Sequence, residues 1–190
     1  MKEAGICFLH APLFHPALKT VGPIRRNMGL RTFFNMLGPI VNPAKPAYQL
    51  IGVYNLEMAR LYNYAMQSLG NEFTLIHSLD GYDEISLTSD TKIISNKGEF
   101  IMTPYQLGKR KVFPEELYGG NTVEAAATLF KKIIQGNGSW SQNAVVLANA
   151  AMALQLTGQY ENYEAAFQAA VKSLESGAAN HCLNQLISLQ

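Results

Sequence analysis

Two carboxylates stand side by side at Asp83 and Glu84, within the run Asp80-Gly81-Tyr82-Asp83-Glu84-Ile85-Ser86. An apolar, β-forming run precedes it, and the loop that follows a strand is where open α/β sheets usually place ligands. Adjacent acids on such a loop suit Mg²⁺, which takes few protein ligands and completes its sphere with water and phosphate oxygens. Taken alone, an ordinary acidic turn explains the pair more simply. Arg25 and Arg26 form the second group, with His15 upstream in a proline-rich stretch. A guanidinium fork suits a planar carboxylate through two parallel hydrogen bonds. Taken alone, a solvated basic turn is again the simpler account.

The other titratable residues carry weaker patterns. His10 precedes the proline-rich loop, His77 falls inside a strand pattern as a satisfied core residue, and His181 sits in the last helix. The four histidines lack metal-binding spacing. Lys109-Arg110-Lys111 reads as a solvated loop able to touch a phosphate, and Trp140 as a helix-start anchor. Gly119-Gly120-Asn121 is the nearest approach to a phosphate-cradling loop, but it lacks the accompanying Lys, Thr or Asp.

The elements that must position these groups divide at residue 47. Residues 1–47 hold prolines at 12, 16, 23, 39, 43 and 46, and Glu3 is their only acid. Each proline removes a backbone donor and turns its predecessor away from helix, so short helices and loops must dominate. From residue 48 the patterning is regular. Tyr48–Tyr54 and Phe73–Leu79 read as strands around a helix over Leu56–Leu69, capped by Asn55 and stopped by Gly70. This strand–helix–strand unit implies a parallel pairing. Thr91–Ser95 and Glu99–Thr103 form a hairpin about Asn96-Lys97-Gly98. Pro104 to Gly120 reads as irregular, with a short helix near Glu115. Four helices follow: to about Gln135 from a capping box at Asn121 and Glu124, then Ser141–Leu156, Tyr160–Ser176 and Ala178–Leu189. The class is α/β, a mainly parallel sheet flanked by helices. The organisation is a loop-rich segment 1–47, of the kind that carries function more often than stability, and an α/β domain over 48–190 ending in helices.

Bulk properties narrow the partners. Of 190 residues, 48% are hydrophobic and 15% charged, as in a globular chain. Fifteen basic residues against 14 acidic leave a formal +1, so no long-range field favours nucleic acid or an anionic membrane. Cys7 and Cys182 have no metal-ligand spacing and read as reduced thiols of a cytoplasmic protein. No apolar run approaches the ~20 residues that span a bilayer, and no signal peptide is expected.

Residues 11–43, APLFHPALKTVGPIRRNMGLRTFFNMLGPIVNP, closely resemble the anthranilate phosphoribosyltransferase family. There an Ala-Pro, a His-Pro-Ala-x-Lys, a Val-Arg, a Leu-Gly-x-Arg-Thr and a Phe-Asn-x-Leu-Gly-Pro-x-x-Asn-Pro follow in this order. Here Ile24 replaces the Val, Met28 the first Leu, and Leu18 a usual Met. Gln49, Gly52-Val53 and Gly81 to Ser86 continue the pattern, and the resemblance covers nearly the whole chain. It implies a fold like the nucleoside phosphorylases and phosphoribosyltransferases, with a remnant of a helical domain near the N-terminus. It implies that anthranilate's amine attacks C1 of phosphoribosyl pyrophosphate, with Mg²⁺ on the phosphates, in tryptophan biosynthesis. Arg25 then pairs with anthranilate's carboxylate, and His15, Ala11, Pro12 and Pro39 line the aromatic slot. Asp83 and Glu84 become the metal ligands.

Family members also carry an N-terminal helical region and a Gly-Thr-Gly-Gly-Asp loop ahead of these motifs. Neither is in these 190 residues. The expectation is an incomplete catalytic portion, inactive alone, with apolar surface exposed where those parts dock. A homodimer is expected of the complete enzyme. Two other readings stay open: a pyrimidine nucleoside phosphorylase of the same fold, and a non-enzymatic relative binding nucleic acid or protein. The Arg-Arg and Leu-Gly-Pro stretches oppose the first; the near-neutral charge gives the second little support, and Arg25, Asp83 and Glu84 oppose it.

Overall fold

The structure is a computed structural model that describes residues 2–14 and 34–189. Two short helices precede the sheet: α1, Ala11–Phe14, and α2, Phe34–Ile40. The strands are β1 Tyr48–Gly52, β2 Glu72–Ser78, β3 Thr91–Ser95 and β4 Gly98–Met102, in the order β1-β2-β3-β4. Helix α3, Leu56–Leu69, connects β1 to β2, which pair in parallel with Leu50 opposite Thr74. The β2–β3 and β3–β4 pairs are antiparallel, with Ile76 opposite Ile93 and Ile93 opposite Phe100. The α/β class is as the sequence indicates, and the described sheet is mixed, since the hairpin adds two antiparallel ladders to one parallel ladder.

Both faces of the sheet are covered, which explains why β2 is an apolar run without alternation. On one face Phe73 and Leu75 of β2, Ile51 of β1 and Ile94 of β3 pack with Ala59, Tyr62 and Met66 of α3. On the other, Ile76 and Ile93 meet Ala144, Val145, Ala148 and Met152 of a long helix. That helix is α6, Trp140–Leu156. Before it come α4, Pro104–Gly108, a 3₁₀ turn at Pro114–Leu117, and α5, Val123–Ile134; after it come α7, Tyr163–Glu175, and α8, Ala178–Ser188. Ala151, Ala166 and Phe167 form the α6–α7 seam. Tyr163 ties that seam to α4, its hydroxyl lying 2.7 Å from the Leu107 carbonyl and 3.2 Å from that of Ala148.

Local chemistry sets the ends. The Asn55 side chain accepts from the Met58 amide at 2.8 Å, and Gly70 takes the left-handed conformation (φ 72°) that closes α3. The cap of α5 falls at Thr122, one residue beyond the expected Asn121, whose side chain instead accepts from the Tyr118 hydroxyl. Pro104–Gly108, expected to be irregular, is helical because Thr103 and Gln106 form a full capping box with Pro104 in the first turn. Helix α6 begins at Trp140 behind its cap Ser139. The start of α6 is latched from outside by Arg110. Its guanidinium sits 4.3 Å from the Trp140 ring, donates to Glu116 at 2.8 Å and to the Ser141 hydroxyl at 3.0 Å. Those bonds from Arg110 and Ser141 hold the Glu116 carboxyl down at about 2. Arg110 is therefore engaged within the fold. Among the described residues, no helix is long and apolar enough to cross a membrane.

Candidate functional site

Asp83 and Glu84 lie on the loop between β2 and β3, at the finishing end of the parallel β1–β2 pair, and both are exposed. The backbone beneath them is fixed at consecutive residues by different elements. The Asp83 carbonyl lies against Gly52, so closely that a Cβ there would stand 1.6 Å from its oxygen. The Glu84 carbonyl accepts from the Ser78 hydroxyl at 2.6 Å. Ile85 gives its N–H to Asn149 Oδ1 at 3.0 Å and takes the Asn149 Nδ2 proton on its carbonyl at 2.9 Å. The turn closes with the Ser78 amide on the Tyr82 carbonyl, 3.0 Å, and the Gly81 amide on that of Ser78, 2.9 Å.

Below the loop runs a buried hydroxyl network. Ser86 Oγ donates to Ser78 Oγ at 3.1 Å, whose own hydroxyl donates to the Glu84 carbonyl, and Thr88 Oγ1 donates to the Asp80 carboxylate. Ser78, Ser86, Thr88 and Thr91 are all buried, so these bonds are costly to break. Leu87, fully buried, holds a left-handed backbone (φ 59°), which costs a non-glycine residue roughly 1 kcal/mol or more. Core packing of Leu87 and the Val112 amide on its carbonyl at 2.9 Å maintain it. The loop is thus a built feature of the fold.

The Glu84 carboxyl is raised above its ordinary 4.5, first because protein around it strips away water, then because Asp83 adds a like charge. A raised acid penalises the folded state at any pH above its folded pKa, and the penalty fades as pH falls through that value toward 4.5. Glu84→Gln should therefore raise the melting temperature at neutral pH. That gain should shrink on acidification and be absent by about pH 4, where both states are protonated. A series of thermal melts across pH checks it; a constant gain would locate the effect elsewhere than in this charge.

Among the described residues, no group of three or more His, Cys, Asp or Glu could hold a metal. Two carboxylates alone, facing solvent with oxygen donors only, fit Mg²⁺, which keeps most of its sphere for water and phosphate, and fit poorly a metal needing a protein cage. Pro39 lines a hollow of about 350 Å³ with Asn42, Gln49 and Asn71, at the starting end of β1. Gln49 and Gly52 are three residues apart along β1, roughly 10 Å. Ala11 and Pro12 open α1. His15 and Arg25 lie outside the described residues. His77 is buried as its strand position indicates, with Nδ1 2.8 Å from the Val53 carbonyl. Sequence reasoning does not find Gly52 or Ser78 as contacts of the acidic loop, and it finds Asn149 only as a polar residue within the apolar stretch Ala144 to Leu154.

Comparison with known proteins bears on the family and the fold. The glycosyl transferase family, a/b domain, matches residues 1–180. The anthranilate phosphoribosyltransferase of Flavobacterium johnsoniae is 51% identical over 187 residues, covering 98% of this chain and 56% of that protein. That of Bacteroides fragilis is 48% identical over 189 residues, covering 57% of its length. The chain thus spans somewhat more than half the length of the relatives it matches. The crystal structure of the Thermus thermophilus anthranilate phosphoribosyltransferase superposes with a TM-score of 0.86 at 32% identity, covering 97% of this chain and 56% of that one. The Saccharomyces cerevisiae enzyme in complex with PRPP and Mg gives a TM-score of 0.85 at 27% identity, covering 95% and 52%.

Proposed function

The chain belongs to the glycosyl transferase family through its a/b domain, and from that premise we propose that it is the larger portion of an enzyme transferring phosphoribosyl from phosphoribosyl pyrophosphate to anthranilate. The observation that carries this reading is the exposed Asp83-Glu84 pair on a backbone fixed at three consecutive residues. The likeness to anthranilate phosphoribosyltransferases, one of them solved with PRPP and Mg, supports it.

In this reading Asp83 and Glu84 hold Mg²⁺, which when bound neutralises charge on the pyrophosphate leaving group. Arg25 pairs its fork with the carboxylate of anthranilate and so aims the amine at C1. His15, Ala11, Pro12 and Pro39 wall the aromatic ring. Residues 1–47 supply the acceptor side, and residues 48–190 supply the metal side. The full-length protein acts in the cytoplasm as a homodimer, without membrane or nucleic acid.

The acceptor side is tested with anthranilate fluorescence, and with turnover in a chimera carrying these residues in place of the matching part of the Flavobacterium johnsoniae relative. Arg25→Ala should raise the anthranilate KM by about 30-fold or more, the usual cost of stripping one partner from a buried charge pair. An unchanged KM would remove Arg25 from the slot. Binding of a pyrimidine nucleoside in place of anthranilate would redirect the whole reading to a nucleoside phosphorylase.

A further inference from the structure

Asn149 is the one polar side chain between Ala144 and Leu154 of helix α6. Helix α6 buries Ala144, Val145, Ala148, Ala151 and Met152 against the sheet and α7. Among them Asn149 reaches the backbone of a residue 64 positions away in sequence. Its amide takes both main-chain groups of Ile85, 3.0 Å from the nitrogen and 2.9 Å from the oxygen, as a neighbouring strand would. Its second Nδ2 proton returns to the Val145 carbonyl at 2.9 Å, which fixes the rotamer and the direction of the amide plane. Both donors are used, and the orientation of oxygen and nitrogen is determined by the Ile85 pair.

We infer that Asn149 is a positioning residue for the Asp83-Glu84 carboxylates: it fixes the backbone immediately after them, so the pair is held in place before a divalent cation arrives. The inference rests on the reading of those acids as the metal site. An apolar residue at this position would pack as well in the core but would leave both Ile85 groups unpaired. Freed from one conformation, a backbone residue costs about tenfold in any equilibrium that must order it again. Ser78 secures only the preceding carbonyl and Gly52 only a close approach, so neither replaces a bond to Ile85. Asn149 lies behind the loop and takes no part as a ligand.

The test is a Mn²⁺ titration of the full ¹⁵N-labelled chain, reading paramagnetic broadening of the Gly81–Ile85 amides, with amide exchange at Ile85 alongside. Asn149→Ala should need roughly tenfold more Mn²⁺ for the same broadening and should release the Ile85 amide to exchange. Asn149→Leu, which keeps most of the volume, should do the same and serves if the alanine variant does not fold. Phe167→Leu, a packing change in the α6–α7 seam, should lower the melting temperature without moving the Mn²⁺ response. Wild-type broadening in the Asn149 variants, or an equal shift in Phe167→Leu, overturns the inference. Asp83→Asn with Glu84→Gln separates the two levels. If this pair of changes abolishes broadening while the Asn149 variants respond normally, only the positioning role falls. If it leaves broadening intact, the metal reading falls and takes the positioning role with it.

Discussion

Gly52→Ala is expected to lower the melting temperature by roughly 4–8 °C and to disable the acidic loop with it. A Cβ at residue 52 would lie 1.6 Å from the Asp83 carbonyl oxygen, and that oxygen is backbone, which has no rotamer to escape into. Gly52 itself is exposed, so the loop can retreat toward solvent. That bounds the loss of stability at about 2 kcal/mol, in the range of core overpacking, and each kcal/mol moves the midpoint of a chain this size by roughly 2–4 °C. Retreat has a functional consequence. Asp83 must move by more than about 1 Å, and a displacement of that size in a positioned group costs on the order of 100-fold in rate. Thermal unfolding and the Mn²⁺ response of the Asp83 amide measure the two effects separately. A variant with the wild-type melting temperature and metal response would show that the β1 end and the loop are less tightly joined than the structure has them.

Much of the fold was legible because its signals are local. Helix α3 runs over the residues expected of it, since Asn55 and Gly70 act within one turn of the ends they set. The hairpin was readable from Asn96-Lys97-Gly98, with its second strand starting one residue early at Gly98. Helix α4 was missed although its signal was present. Thr103, Pro104 and Gln106 are spaced as a capping box, but the surrounding prolines and glycines suggested irregular chain. The cap of α5 was misplaced by one because Asn121 and Thr122 are both good caps, and only the bond from Tyr118 to Asn121 decides between them.

The site divides along the same line. Two acids after a strand can be seen in a sequence, and so can their likeness to a family motif. What holds them cannot. Gly52 precedes Asp83 by 31 positions and Asn149 follows Ile85 by 64, so neither contact leaves a periodic or spaced trace. Asn149 appears in sequence only as an interruption of the apolar stretch Ala144 to Leu154. A polar residue tolerated at such a position is itself a signal, since a half-buried amide facing the core must find partners, and here it finds them in the loop that carries Asp83 and Glu84. The Lys109-Arg110-Lys111 run, read as a solvated loop able to touch a phosphate, fares differently: Arg110 is engaged by Glu116 and Trp140 and is a structural latch.

Replacing both acids, Asp83→Asn with Glu84→Gln, is expected to abolish Mg²⁺-dependent turnover in a full-length chimera while making the protein more stable. The amides keep the shape of the carboxyl groups but remove two negative charges. Metal-ion stabilisation of a leaving group supplies several kcal/mol, so a loss on the order of 1,000-fold follows if the pair holds the cation. Stability should move the other way. The native loop places Asp83 beside a Glu84 carboxyl already raised by lost hydration, and neutral amides relieve both costs. A structural ion pair would behave oppositely, because removing its charges destabilises the fold. The signs of the two changes therefore discriminate between roles more sharply than either magnitude. Lost turnover with a higher melting temperature at neutral pH marks acids kept for a ligand. Lost turnover with a lower melting temperature would mean that the acids hold the loop, and the cation site would have to be sought in other residues.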